Sequence, residues 1–178
     1  GLTSAYFPLS GVIVGEKVWK VIERGSEELG PMGHGWTYSG HPLGAVAGLA
    51  NLDILERENL TENARDTGAY LQQQFHKTFD DHPLVGEVRG VGLMAALEFV
   101  ADKKQQLRFD AAWKVGPKIS AACLEQKLIA RAMPNGDILG FAPPLTISKA
   151  EVDDVVQRTL TALNNVADQL TKEYSWNS

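Results

Sequence analysis

Residues 34–42 read His-Gly-Trp-Thr-Tyr-Ser-Gly-His-Pro and lead directly into a largely apolar run, residues 43–55. Proline is favoured in the first turn of a helix, where its missing N–H would have had no partner, so Pro42 predicts a helix that ends near Glu58. A loop ending at a helix N-terminus suits an anion, because unpaired N–H groups and the positive end of the helix dipole point toward the same place. We therefore expect the Thr37 hydroxyl to contact a phosphate and His41 to cap the helix. An ordinary capped loop is the alternative.

The rest of the chain alternates extended and helical patterns, which predicts an α/β fold. Extended segments are expected at residues 84–89, 91–100, 128–130 and 138–141, and a β-branched run between glycines predicts a buried strand at residues 11–15. Helices are expected at residues 16–23, 42–58, 61–79, 111–127 and 149–170. Thr61 is the expected N-cap of the third helix, Pro117 should kink the fourth or mark its start, and Ser148 has capping-box spacing to Glu151. Residues 25–35 should form a loop, and the chain should fray from Thr171 onward.

Composition and charge limit the classes of function. The 178 residues are 44% hydrophobic and 22% charged, as in ordinary globular proteins, and a formal net charge of −5 argues against nucleic acid or an anionic membrane as the main partner. The single cysteine, Cys123, cannot form an internal disulfide, which fits a reducing compartment. No segment has the pattern of a membrane span or a signal peptide. The sequence predicts a cytoplasmic protein, and its four scattered histidines predict no metal site.

Arg131 is the second candidate for a binding role. It follows an apolar segment and precedes the rigid stretch Ala-Pro-Pro-Leu at residues 142–145. A planar guanidinium can hold a carboxylate through two parallel hydrogen bonds. The alternative is a surface arginine paired with a nearby acid such as Asp137, which would contribute little.

The nine-residue stretch, taken together with Arg131 and residues 142–145, resembles the carboxy-terminal part of the class III aminotransferases. The nearest likeness is to the ω-transaminases, and it extends from Gly1 to about Leu170. The resemblance implies pyridoxal phosphate as cofactor and amino transfer between an amine or ω-amino acid and a keto acid such as pyruvate. It also implies that residues 1–79 are the end of a large cofactor-binding domain, residues 80–178 are a small C-terminal α/β domain, and the enzyme is a homodimer with a composite active site.

The resemblance assigns roles to individual residues. The lysine that holds the cofactor is expected immediately before Gly1, so either the chain is truncated there or the sequence is broken at a modified lysine, and we favour the second explanation. Thr37 would contact the cofactor phosphate across the dimer interface. Trp36 would line the substrate pocket of the neighbouring subunit. Arg131 would bind the substrate carboxylate.

Three alternatives remain open at this level. Within the family, an aminomutase or an ornithine-type aminotransferase is possible. Outside it, residues 90–95, Gly-Val-Gly-Leu-Met-Ala, match a dinucleotide-binding glycine pattern and would indicate a nicotinamide-dependent oxidoreductase. That pattern requires a helix after the glycines, whereas residues 93–100 read as extended. A non-catalytic α/β interaction domain is the third alternative.

Overall fold

The computed structural model describes residues 1–176 and divides the chain into two compact units, the first covering Gly1–Asn59 and the second beginning at Leu60. The first unit contains helices α1 (Glu16–Leu29) and α2 (Pro42–Arg57). The second contains α3 (Leu60–Phe79), α4 (Val115–Glu125), α5 (Lys149–Tyr174) and four strands, β1 (Val85–Val91), β2 (Met94–Phe99), β3 (Arg131–Ala132) and β4 (Ile138–Phe141). The predicted α/β class is confirmed.

The predicted buried strand at residues 11–15 is wrong. Val12 and Ile13 are 88% and 101% exposed, and this segment is neither strand nor helix. A strand needs an extended neighbour to bond its N–H and C=O groups. No other segment of residues 1–59 is a strand, so the β-branched run finds no partner within this unit.

The two helices of the first unit differ in how well local sequence predicts them. Helix α2 runs from Pro42 to Arg57, close to the expected span. Helix α1 continues six residues beyond its predicted end at Glu23 and passes through Gly25, so the predicted loop over residues 25–35 is shortened. An internal glycine costs only about 1 kcal/mol relative to alanine. The helix ends instead at Gly30, whose φ of 91° is readily adopted by glycine.

The sheet of the second unit is entirely antiparallel, with strand order β1-β2-β4-β3. Helix α3 packs on β1, α4 packs on β3 and β4, and α5 contacts both α3 and α4. The fully buried side chains between them include Leu71, Phe75, Phe79, Leu97, Leu139 and Leu163. Burial of each such side chain favours folding by about 1.5–3 kcal/mol.

Element boundaries in this unit correct two expectations and decide between the two predicted roles of Pro117. Helix α3 begins at Leu60, after Asn59 with φ of 50°, so Thr61 lies inside the first turn and is not the N-cap. Asparagine tolerates this left-handed conformation better than most residues. The predicted fourth helix is a 3₁₀ turn followed by α4 from Val115, so Pro117 marks the start of the helix. The strand expected at residues 128–130 forms three residues later, as β3.

The C-terminal helix confirms its predicted start and corrects its predicted end. Ser148 and Glu151 form the expected capping box. The helix continues to Tyr174 instead of fraying from Thr171. Trp176 explains the difference, because it is 8% exposed and its indole N–H donates to the Ala101 carbonyl at 2.8 Å.

The glycine pattern at residues 90–95 lies in a β-hairpin. Strands β1 and β2 pair in continuous register from Glu87 to Val91, after a register shift between Val85 and Glu87. Val91 lies opposite Met94, and Gly92 turns the chain with φ of 55°. A dinucleotide site needs a strand that leads into a helix, because the helix N-terminus holds the pyrophosphate. The hairpin removes the basis for the nicotinamide alternative.

Helix α3 is where the compact units and the predicted domains differ. It packs in the unit that begins at Leu60, whereas the resemblance places residues 1–79 in one domain. The predicted domain division stays a prediction. Within residues 1–176, no helix combines the length and the apolarity that crossing a bilayer requires.

Candidate active site

The loop at residues 34–41 is a tight turn fixed by its own hydrogen bonds. The Trp36 N–H donates to the Ser39 hydroxyl at 3.0 Å, and the Ser39 N–H donates to the Trp36 carbonyl at 2.9 Å. Gly40 has φ of 73°, a conformation that favours glycine. The loop therefore presents its side chains in a defined arrangement.

The start of α2 is capped within the chain. Nδ1 of His41 accepts the Leu43 N–H at 3.3 Å, which confirms the expected cap. Pro42 has no N–H, and the N–H groups of Gly44 and Ala45 both donate to the His41 carbonyl, at 3.1 and 3.4 Å. The expectation that free N–H groups of this helix would bind an anion is therefore wrong, because all of them are already engaged.

The donors that remain free belong to the loop itself. Thr37 is exposed, and neither its hydroxyl nor its N–H bonds to any group within residues 1–176. The Tyr38 N–H is equally free in that part of the chain, whereas Ser39 and His41 are engaged. Three adjacent donors at one turn are the groups that a phosphate would accept from, so the residues present fit this group.

A cavity of about 690 Å³ lies between residues 7–12 and the loop. Every residue of 34–41 except Thr37 lines it. The His41 ring joins the two walls through its contact with the Phe7 ring, at a centroid distance of 5.5 Å, and it also contacts the Tyr38 ring of its own loop at 6.1 Å. Thr37 is thus the one residue of this loop that does not line the cavity.

Trp36 is well placed to contact a ligand. This residue is 77% exposed, and its ring meets the His34 ring edge to face, at 5.8 Å and 71°. Sequence reasoning singled out Trp36 but not Phe7 or Tyr38, which line the same cavity. The available signal for Tyr38 was its aromatic side chain within the same stretch, whereas no local pattern links Phe7 to the loop.

Arg131 lies in the second unit, at the start of β3, where its backbone pairs with Gly140. Its side chain is exposed and forms no ion pair with any residue in 1–176. Asp137, the partner that a purely structural role would use, instead accepts the Gly116 N–H at 2.7 Å. The alternative of an Arg131–Asp137 surface pair is therefore wrong, and the guanidinium is free to bind a carboxylate.

Comparison with known proteins identifies the family of this chain. The family model described as Aminotransferase class-III matches residues 1–163. A diaminobutyrate–2-oxoglutarate transaminase of Halomonas elongata is 65% identical over 173 residues, which cover 97% of this chain and 37% of the relative. A putrescine–pyruvate aminotransferase of Pseudomonas aeruginosa is 40% identical over 168 residues, covering 94% of this chain and 35% of the relative.

The solved structures that resemble this chain are also transaminases. A transaminase obtained by directed evolution and ancestral reconstruction superposes with a TM-score of 0.93 at 72% identity, over 95% of this chain and 37% of its own. The ω-transaminase of Pseudomonas jessenii in complex with PMP gives a TM-score of 0.89 at 37% identity, over 97% of this chain and 37% of its own. The chain spans little more than a third of the length of these proteins. It belongs to the class III aminotransferases, a family that depends on pyridoxal phosphate.

Proposed function

We propose that this chain is part of an enzyme that transfers an amino group from a terminal primary amine or ω-amino acid to a keto acid such as pyruvate. The proposal is carried by two sets of unengaged groups among residues 1–176. The free donors at Thr37 suit a phosphate, and the unpaired guanidinium of Arg131 suits a carboxylate. Pyridoxal phosphate, when bound, supplies an electron sink for the reacting carbon.

Cofactor binding is assigned to the loop and to the residue before Gly1. Thr37 would donate its hydroxyl hydrogen bond to the phosphate, supported by the N–H groups of Thr37 and Tyr38. The lysine proposed immediately before Gly1 would hold the cofactor and move a proton at its Nζ atom. From the resemblance, we propose that Thr37 serves the site of a second subunit, in a homodimer, and its position outside the cavity that residues 34–36 line is compatible with that role.

Substrate binding is assigned to Trp36 and Arg131. Trp36 would form an apolar wall in the substrate pocket of the neighbouring subunit, where it excludes water and limits the size of the amine. Arg131 would orient the substrate through two hydrogen bonds to its carboxylate, since a guanidinium matches that geometry.

The names of the relatives support a terminal primary amine as the amino donor and leave two keto acids as candidate amino acceptors. By their names, they act on diaminobutyrate and on putrescine, both of which carry a terminal primary amine. One name pairs the donor with 2-oxoglutarate and the other with pyruvate. Transfer from a diamino acid to 2-oxoglutarate is the second candidate, favoured by the 65% identity to the relative of that name.

The test is a substrate panel on the full-length enzyme. We expect an absorption band at about 400 nm from bound cofactor. We also expect amino transfer from putrescine or 2,4-diaminobutyrate to pyruvate or 2-oxoglutarate, and the preferred pair selects between the two candidates. A colourless protein that transfers no amino group from any donor would overturn the proposal.

Mixed dimers test whether Thr37 acts across the interface. A subunit with the cofactor lysine changed to alanine is combined with a subunit carrying Thr37→Ala, and activity is measured at a cofactor concentration too low to saturate the Thr37→Ala site. Contact across the interface leaves one intact site per mixed dimer and restores about half of the parental activity. Contact within a subunit leaves no intact site and restores none.

A further inference from the structure

The carboxamide of Asn51 holds the first residues of the chain to helix α2. Its Nδ2 donates to the carbonyls of Gly1 and Leu2, both at 3.2 Å. Its Oδ1 accepts from the Ser4 hydroxyl at 2.6 Å. One half-buried side chain thus uses its donor and its acceptor on three residues that lie 47 to 50 positions away in sequence.

The segment that Asn51 holds has an unusual backbone. Ser4 and Ala5 have φ of 48° and 65°, a left-handed conformation that costs about 1–2 kcal/mol per residue for side chains other than glycine. Thr3 is 4% exposed, and its hydroxyl donates to the Phe7 carbonyl at 2.6 Å. The segment is therefore a tight turn, and such a conformation persists only where surrounding contacts maintain it.

Helix α2 is shaped to accept this turn. A Cβ atom added at Gly44 would lie 3.1 Å from the Phe7 ring, and one added at Gly48 would lie 3.3 Å from Leu9. Positions 44, 48 and 51 follow each other at four- and three-residue steps, so they lie on one face of the helix. The two glycines allow close approach, and Asn51, at the end of the same face, supplies the hydrogen bonds.

We infer that Asn51 is a positioning residue for the cofactor-binding lysine. The inference rests on the proposed function, which places that lysine immediately before Gly1. The carbonyls that Asn51 fixes belong to the first and second residues after this lysine. Consecutive Cα atoms are about 3.8 Å apart, so these residues lie close to the lysine backbone. A displacement of about 1 Å at a reacting group can lower the rate about 100-fold, so fixing this peptide fixes the direction from which the lysine reaches the cofactor.

The test compares three variants of the full-length holoenzyme. Asn51→Asp keeps the size and the acceptor but places a carboxylate against two carbonyl oxygens. Asn51→Ser removes both donated hydrogen bonds with a smaller side chain. Asp53→Asn is the matched control, because Asp53 is an exposed residue on the same helix that pairs only with Arg57 among residues 1–176.

Three quantities are measured for each variant: kcat and KM, the thermal midpoint, and the pH midpoint of the absorption band at about 400 nm, which reports the proton held between lysine and cofactor. We expect both Asn51 variants to lower kcat about tenfold or more and to displace the absorption midpoint, while the KM for the keto acid changes less than about threefold. Asp53→Asn should match the parent in all three.

The outcomes separate this inference from the proposed function. A parent enzyme without the absorption band and without amino transfer would overturn the proposed function, whatever the variants do. An active parent whose Asn51 variants keep the parental kcat and absorption midpoint would overturn the inference alone. A lower thermal midpoint with an unmoved absorption midpoint would show a merely structural role and would also overturn it.

Discussion

The Asp137 carboxylate accepts the Gly116 N–H at 2.7 Å, so it serves the start of helix α4 and leaves Arg131 without an acidic partner in residues 1–176. An arginine that contributed only to stability would be expected to use the acid nearest in the turn. Because that acid is engaged elsewhere, the role of Arg131 and the role of Asp137 can be tested independently.

Replacing Arg131 should affect keto acids more than amines. We predict that Arg131→Ala lowers kcat/KM for the keto acid about 10- to 100-fold, because a hydrogen-bonded charge pair contributes about 1.5–3 kcal/mol. An aromatic amine without a carboxylate should lose much less. Arg131→Lys should recover little, because an ammonium cannot form two parallel hydrogen bonds. Equal losses on both substrates would remove Arg131 from the carboxylate site.

Replacing Asp137 should affect stability and leave substrate preference unchanged. Asp137→Ala leaves the Gly116 N–H of the first helical turn without its acceptor. The expected loss in the free energy of unfolding is about 1 kcal/mol, as for other helix caps. Urea unfolding measures this loss, and the ratio of keto-acid to amine kcat/KM is the second readout. A changed ratio would show that Asp137 also acts through Arg131.

The sequence predicted mainly those features whose residues lie close together in the chain. The capping box of Ser148 and Glu151, the helix start at Pro42 and the His41 cap all depend on residues within a few positions of each other, so local patterns revealed them. The bonds from Asn51 to Gly1 and from Gly116 to Asp137 join distant positions, and no local pattern encodes them. Local chemistry made Thr37 and Arg131 candidates and the resemblance assigned their roles, whereas their surroundings only the structure could describe.

The failed strand prediction has the same cause. The β-branched run at residues 11–15 has strand propensity, but a strand forms only when another strand is available to pair with it. The opposite case is the hairpin at residues 90–95, where both partners lie close together in the sequence.

The packing of α3 on the hairpin predicts a large effect of one methyl group. A Cβ atom added at Gly68 would lie 2.5 Å from the Gly92 carbonyl carbon, closer than packed atoms allow. Gly68→Ala should therefore lower the free energy of unfolding by about 1–3 kcal/mol. Gly25→Ala is the matched control, since Gly25 lies inside α1 with nothing within 4 Å of the added atom. It should be stabilising by up to about 1 kcal/mol, and a neutral Gly68→Ala in urea unfolding would contradict the close packing.

Acid should destabilise the second unit through His82. This residue is 7% exposed, its Nδ1 accepts the Leu84 N–H at 3.2 Å, and its Nε2 lies 3.2 Å from Asn164 Oδ1. Burial lowers the pKa of His82 below its ordinary value, and the charge of Lys103 lowers it further, against the opposing hydrogen bond to Asn164. The folded form therefore holds the imidazole neutral.

The sign of the pH effect follows from this lowered pKa. Above about pH 6.5 the imidazole is neutral in both states and no penalty arises. As the pH falls through about 6.5, the unfolded chain binds a proton that the folded chain does not, so stability decreases. We predict a flatter profile for His82→Asn, whose amide oxygen can accept the Leu84 N–H without titrating. Urea unfolding from about pH 8 to about pH 5 tests this, and parallel profiles for parent and variant would contradict it.

We propose that the Thr37 hydroxyl binds the cofactor phosphate, and every other assignment at the site depends on this contact. The most direct measurement is the Kd of pyridoxal phosphate for the full-length enzyme and for two variants, Thr37→Ala and Thr37→Ser. Loss of a hydrogen bond to a charged group costs about 1.5 kcal/mol, so we predict a Kd about tenfold higher for Thr37→Ala and close to the parental value for Thr37→Ser, which keeps the hydroxyl. Parental affinity in the alanine variant would contradict the account.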